Sequence, residues 1–240
     1  MITEKNAPRL LGIAFLFVFI VSLVSGMLFK AAAGTDANIN DILNHISNNS
    51  GLLQTSVLFG VINSSGIVVL ALLLYTVLNK QNKVLALFAL GWWLAEAFIY
   101  AASTIAAFSL LPLSQDYVQA GIPQNSFYQT LGEFLYNGFY TFGSGTIHMW
   151  FYCIGGIAWY SLFYQSRYIP RVISLWGLIV VLVGLIGIVF EFFGFEVPIY
   201  VYLPIAPFEI TLGLWLLIKG IKDKPETFQI TKHLNVKLSN

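Results

Sequence analysis

The chain has 240 residues, 58% hydrophobic and only 10% charged, with a mean hydropathy of +0.77 and a net charge of +1. Soluble domains carry about 25% charged residues, so this composition excludes a water-soluble globule and implies an all-α polytopic membrane protein. The near-neutral balance offers no basic surface to nucleic acid, and a lone cysteine, Cys153, excludes an internal disulfide.

A helix needs roughly 20 apolar residues to cross the hydrocarbon layer. Six stretches meet that need, at about 9–30, 54–78, 84–111, 136–165, 171–194 and 199–220. Backbone amides in lipid have no water to pair with, so each is expected to be helical. The first has an apolar core of about 19 residues, longer than the roughly 7–15 of a signal peptide, and is read as a retained span. Between the first two spans, Ile39, Ile42, Leu43 and Ile46 recur at helical spacing, which predicts a short interfacial helix capped by Asp36. Residues 112–128 carry two prolines and read as an ordered loop or lid, with an amphipathic approach over 126–135 leading into the fourth span. The domain expected is a six-helix transmembrane bundle over 1–224, followed by a polar tail over 225–240.

Positive charge sets orientation. Lys5 and Arg9, then Lys80 and Lys83, then Arg167 and Arg171, then Lys219 and Lys222 fall at alternate connections. The intervening connections hold Asp36, Asp41, Asp116 and Glu196, with Lys30 as their single cation. Both termini are therefore expected on the cytoplasmic side of an inner (plasma) membrane.

Charge at membrane depth is costly, so an intramembrane carboxylate or imidazole is a functional hypothesis by default. Helical residues four, seven and eleven apart share a face. Trp92, Glu96, Tyr100 and Ser103 form one such stripe; Asn137, Thr141, Ser144, His148, Tyr152 and Gly155 form a second. Ser56, Gly60, Asn63 and Gly66 form a third, and Gly177, Gly184, Gly187 and Glu191 a fourth. Tyr202, Glu209 and Gly213 supply the last. At about 1.5 Å per residue, Glu209 falls near the midplane, with Glu96, His148 and Glu191 towards the outer side. The stripes predict a polar cavity centred on Glu96, His148 and Glu209 and lined by Tyr100, Ser144, Tyr152, Asn63 and Tyr202. Pro204 and Pro207 are expected to break or kink the sixth span beside Glu209.

YQSRYIPR, through Tyr164, Ser166, Arg167, Ile169, Pro170 and Arg171, resembles the turn between two membrane helices in the DUF4386 family of bacterial membrane proteins. PRLLGIAFLF is similar to its opening helix, and WWLAEAF to a third span holding a glutamate, here Glu96. APFEITLGLWLLIKGIK resembles its closing pattern, through Pro207, Glu209, Trp215, Lys219 and Gly220. The family pattern puts an arginine shortly before the third-span glutamate, where this chain has Trp92 and Trp93. The resemblance implies architecture and little chemistry.

Three function classes stay open. Binding or transport of a small molecule, ion or lipid fits the intramembrane polar groups, and transport on six spans implies a homodimer. A membrane-embedded enzyme could use Glu and His for acid–base or metal work, but no H-x-x-x-H, H-E-x-x-H or D-x-x-D pair lies within a span, so no metal site is expected. A structural or regulatory protein would use the stripes only for packing, with carboxyls and imidazole bonded to neighbours. No cofactor is named by the sequence.

Overall fold

The computed structural model describes residues 7–34, 38–123 and 126–221, leaving out the side chains of Phe142 and Ser144. Its helices are α1 (Ala7–Ala33), α2 (Ile39–Asn48), α3 (Ser50–Leu78), α4 (Lys83–Gln119), α5 (Phe127–Asn137), α6 (His148–Ser166), α7 (Arg171–Phe192) and α8 (Ile205–Lys219). A π-helical segment, Gly138–Ile147, joins α5 to α6, and a 3₁₀ turn, Ile199–Val201, precedes α8. Among the described residues five helices are long and apolar enough to cross a membrane: α1, α3, α4, α7 and the run Ile199–Lys219.

The fourth stretch differs from its expectation of one continuous helix. It is built from α5, the π-helical segment and α6, with Gly145 leaving helical geometry at φ −101° and ψ −109°. Glycines at 138, 143 and 145 lower the cost of that irregular backbone. α6 alone then has 19 residues, a length of about 28 Å.

A further expectation is corrected. Residues 112–119 are not a loop: α4 runs through Pro112 to Gln119. The extension pays for its proline by burial, since Leu113, Ser114 and Tyr117 are covered. The last span is broken beside its prolines, as expected: the 3₁₀ turn Ile199–Val201 and the turn after it end at Pro204, the N-cap of α8, and Pro207 sits in the first turn of α8 before Glu209, where missing amides cost little. The helix α2 forms as expected, buried through Ile39, Ile42, Leu43 and Ile46, but Asn38 caps it by accepting from the Asn40 amide. Asp36 and the tail 225–240 lie outside the described residues.

Packing follows chain order around a ring. α1 packs on α3, α3 on α4, α4 on α6, α6 on α7, α7 on α8, and α8 back on α1. Reciprocal bonds from Ser25 Oγ to the Ser56 carbonyl (3.0 Å) and from Ser56 Oγ to the Ser25 carbonyl (2.8 Å) join α1 to α3. At Gly12 a Cβ would fall onto the backbone of Leu217 and 2.7 Å from the Gly213 carbonyl, so this glycine permits the close crossing of α1 and α8. One core cluster fills this end of the ring, around Leu11, Phe15, Trp159, Tyr160 and Phe208. A second gathers Phe29, Leu43, Leu53, Leu110 and Tyr117 at the other end. There α2 and α5 close over the end of α4, with Tyr117 OH and Gln129 Nε2 both donating to Asn40 Oδ1 at 3.0 and 2.8 Å.

The connection between α3 and α4 touches that between α6 and α7, because Gln81 Nε2 donates to Tyr168 OH at 2.7 Å. Arg167 ends α6 in the left-handed conformation (φ 57°), and Arg171 starts α7 with its guanidinium over the Tyr164 ring. Lys80, Lys83, Arg167 and Arg171 therefore belong to two connections at one end of the ring.

Candidate functional site

Inside the ring is a cavity of about 300 Å³. Asn63 reaches it from α3, Trp93 and Glu96 from α4, His148 and Tyr152 from α6, and Glu209 from α8. The space exists because α8 stands apart. None of its Cα atoms comes within 8 Å of any in α3, α4 or α6, and side chains bridge the gap.

The polar groups form two linked pairs. His148 Nε2 lies 3.4 Å from Glu96 Oε1, and the imidazole meets the edge of the Tyr100 ring at 5.4 Å. Across the cavity, Tyr152 OH donates to Glu209 Oε1 at 2.9 Å, with the Tyr160 hydroxyl 3.5 Å away. Trp93 holds Tyr152 from below: the rings stack at 5.8 Å and Trp93 Nε1 donates to the Tyr152 carbonyl at 3.1 Å. Gly155, one turn on, has no Cβ because that atom would collide with the Trp93 indole.

Burial is deep. Asn63 is 1% exposed and Glu96 3%, whereas His148 keeps 17% of its side-chain surface. Among the described residues, Asn63 Oδ1, Glu96 Oε2 and His148 Nδ1 are buried without a hydrogen-bond partner. Such orphans are uncommon, because each costs about 1–3 kcal/mol when nothing replaces the lost water. Here all three residues line the same cavity. Among the described residues no three of His, Cys, Asp and Glu gather closely enough to hold a metal ion.

The expected lining is brought together in part. Asn63, Glu96, His148, Tyr152, Tyr202 and Glu209 all border the cavity, and Tyr100 stands behind His148. The Ser144 side chain lies outside the described set. Tyr202 contributes its ring, but its hydroxyl turns away to Glu191 Oε1 at 2.7 Å. The second Glu191 oxygen accepts from Thr146 Oγ1 at 2.7 Å. Glu191 thus anchors the π-helical segment to the turn before α8. It borders a second cavity of about 930 Å³ that shares Met149 and Tyr202 with the first.

Two stripes need correction. Asn137 and Thr141 are exposed, because the wider π-helical turn and the break at Gly145 shift the register before His148. On α4 it is Trp93, three residues before Glu96, that borders the cavity; Trp92 packs on Phe151 instead. The contribution of α1, through Val18, Phe19, Ser22 and Leu23, was not expected. Ser22 was the only polar signal there, and a lone serine in an apolar helix is ordinary.

A family model described as "Domain of unknown function (DUF4386)" matches residues 10–220. No curated protein and no solved structure matches the chain.

Proposed function

We propose, from the premise that this chain belongs to the DUF4386 family, that it is a six-span inner-membrane protein that binds a small molecule in the cavity of its helix ring and either stores it or passes it across. The observation that carries this reading is the set of buried polar atoms without a partner among the described residues, all around one cavity. A protein that used its polar stripes only for packing would leave them paired. About 300 Å³ is at the small end of ligand sites, which run to about 1,000 Å³, so a small solute or one part of a larger amphiphile fits. The metal-enzyme alternative has less support, since Glu96, His148 and Glu209 do not converge as ligands.

The six-span reading counts α6 with its π-helical approach as the fourth crossing, which the closed ring favours. The basic connections then face the cytoplasm together with both termini. Single cysteines placed at Gln81 and at Asn48, probed with an impermeant maleimide on intact cells, should label only at Asn48. Labelling of both, or of Gln81 alone, contradicts this topology.

The binding reading is tested with Ala206→Phe, which fills the cavity from α8. Native mass spectrometry of the protein in lipid nanodiscs should find a retained small molecule that is lost in Ala206→Phe and weakened in His148→Ala. Equal occupancy in all three proteins defeats the reading.

A further inference from the structure

We infer that the cavity takes a protonated amine carried on a single apolar chain, which slides in sideways between α1 and α8. This rests on the binding reading above and specifies its ligand.

The head group follows from what the orphaned atoms lack. Asn63 Oδ1 and Glu96 Oε2 are acceptors with no donor among the described residues, in residues 1% and 3% exposed. Glu209 faces the same volume and receives a single donor, Tyr152. When Glu96 Oε1 accepts from His148 Nε2–H, His148 Nδ1 also keeps a free lone pair. An ammonium group supplies three donors and accepts nothing, which matches this deficit. Two carboxyl groups against one imidazole leave an excess of acceptors, which suits a donor-rich head, and among the described residues no lysine or arginine lines the cavity to receive a phosphate or sulfate. A phosphodiester head is therefore disfavoured.

The apolar chain follows from where the cavity opens. α1 and α8 meet tightly at Gly12 and Gly213 and leave the cavity between them farther along. Ser22 and Leu23 border it and are also exposed, Leu23 at 52%. Ser22 lies 15 residues along α1 from Ala7, or about 22 Å, so the opening faces acyl chains and not water. An amphiphile can keep its tail in the bilayer while its head reaches Glu96.

The test uses the full chain in nanodiscs with dodecylamine, dodecanol, dodecyl sulfate and butylamine at equal concentration, read by native mass spectrometry. Dodecylamine should be retained at least tenfold over the alcohol and the sulfate, and over butylamine. Asn63→Leu and Glu96→Gln should each lower its retention about tenfold while leaving the melting temperature within a few degrees. Equal retention of alcohol or sulfate, or indifference to both substitutions, overturns the amine assignment. Butylamine retained as well as dodecylamine overturns the sideways route. Loss of every probe in Ala206→Phe keeps the binding reading alive even where the amine preference fails; retention of every probe in that variant ends both.

Discussion

The bond from Tyr152 to Glu209 is the only hydrogen bond described between α6 and α8, and its strength can be isolated. Tyr152→Phe removes the hydroxyl but keeps the ring stacked on Trp93 at 5.8 Å, so little packing is lost. The bond is short, at 2.9 Å, and spans helices whose backbones stay more than 8 Å apart. Hydrogen bonds between membrane helices contribute about 0.6 kcal/mol on average and about 1.7 at most. Losing this one leaves a carboxyl oxygen facing a mainly apolar volume, which raises the cost of the single change to about 1–3 kcal/mol. Pairing it with Glu209→Leu removes both partners, so the double-mutant cycle should show a coupling of about 1 kcal/mol. Unfolding in mixed micelles by a denaturing detergent, followed by near-UV circular dichroism, measures all four proteins. Tyr160→Phe serves as control: its hydroxyl is 3.5 Å from Tyr152, at the limit of a bond, and it should show no coupling with Glu209→Leu. A Tyr152–Glu209 cycle that closes within about 0.5 kcal/mol, the usual error of additivity, refutes the claim that this bond spans the cavity.

Gly12→Leu should push α1 off α8, because the added carbons meet backbone atoms of Leu217 and Gly213 that cannot swing away. A loss of about 1–3 kcal/mol is expected from the overpacking, and Gly26→Leu on the same helix, where a Cβ meets nothing within 4 Å, should be neutral in the same unfolding assay. Asn38→Ala removes the cap of α2 and should cost about 1 kcal/mol, seen as faster amide exchange over residues 39–46.

Much of the ring could be read from the order of residues, and the reasons are specific. Glu96, His148 and Glu209 stood out because charge inside apolar helices is rare, and Asn63 because its helix repeats small and polar residues every three or four positions. α1 was opaque, since a helix apolar on every side gives no sign of which side faces a cavity. The π-helical segment was opaque for a different reason. A register rule built on four-residue spacing fails where each turn holds an extra residue, so Asn137 and Thr141 were assigned to a face they do not occupy. The extension of α4 through Pro112 was hidden because it is held by α2, whose Asn40 lies 77 positions from the Tyr117 that bonds it.

Because the helices are arranged around the ring in the order in which they are made, α1 waits for α8. Pro8 at the start of α1 lies beside Gly220 at the end of α8, so the wall facing Glu96 is missing until α8 has been made. During synthesis that carboxylate must be sheltered by water, lipid head groups or the insertion machinery. A ribosome stalled before residue 205 would leave an open crescent with its acidic interior bared to the bilayer.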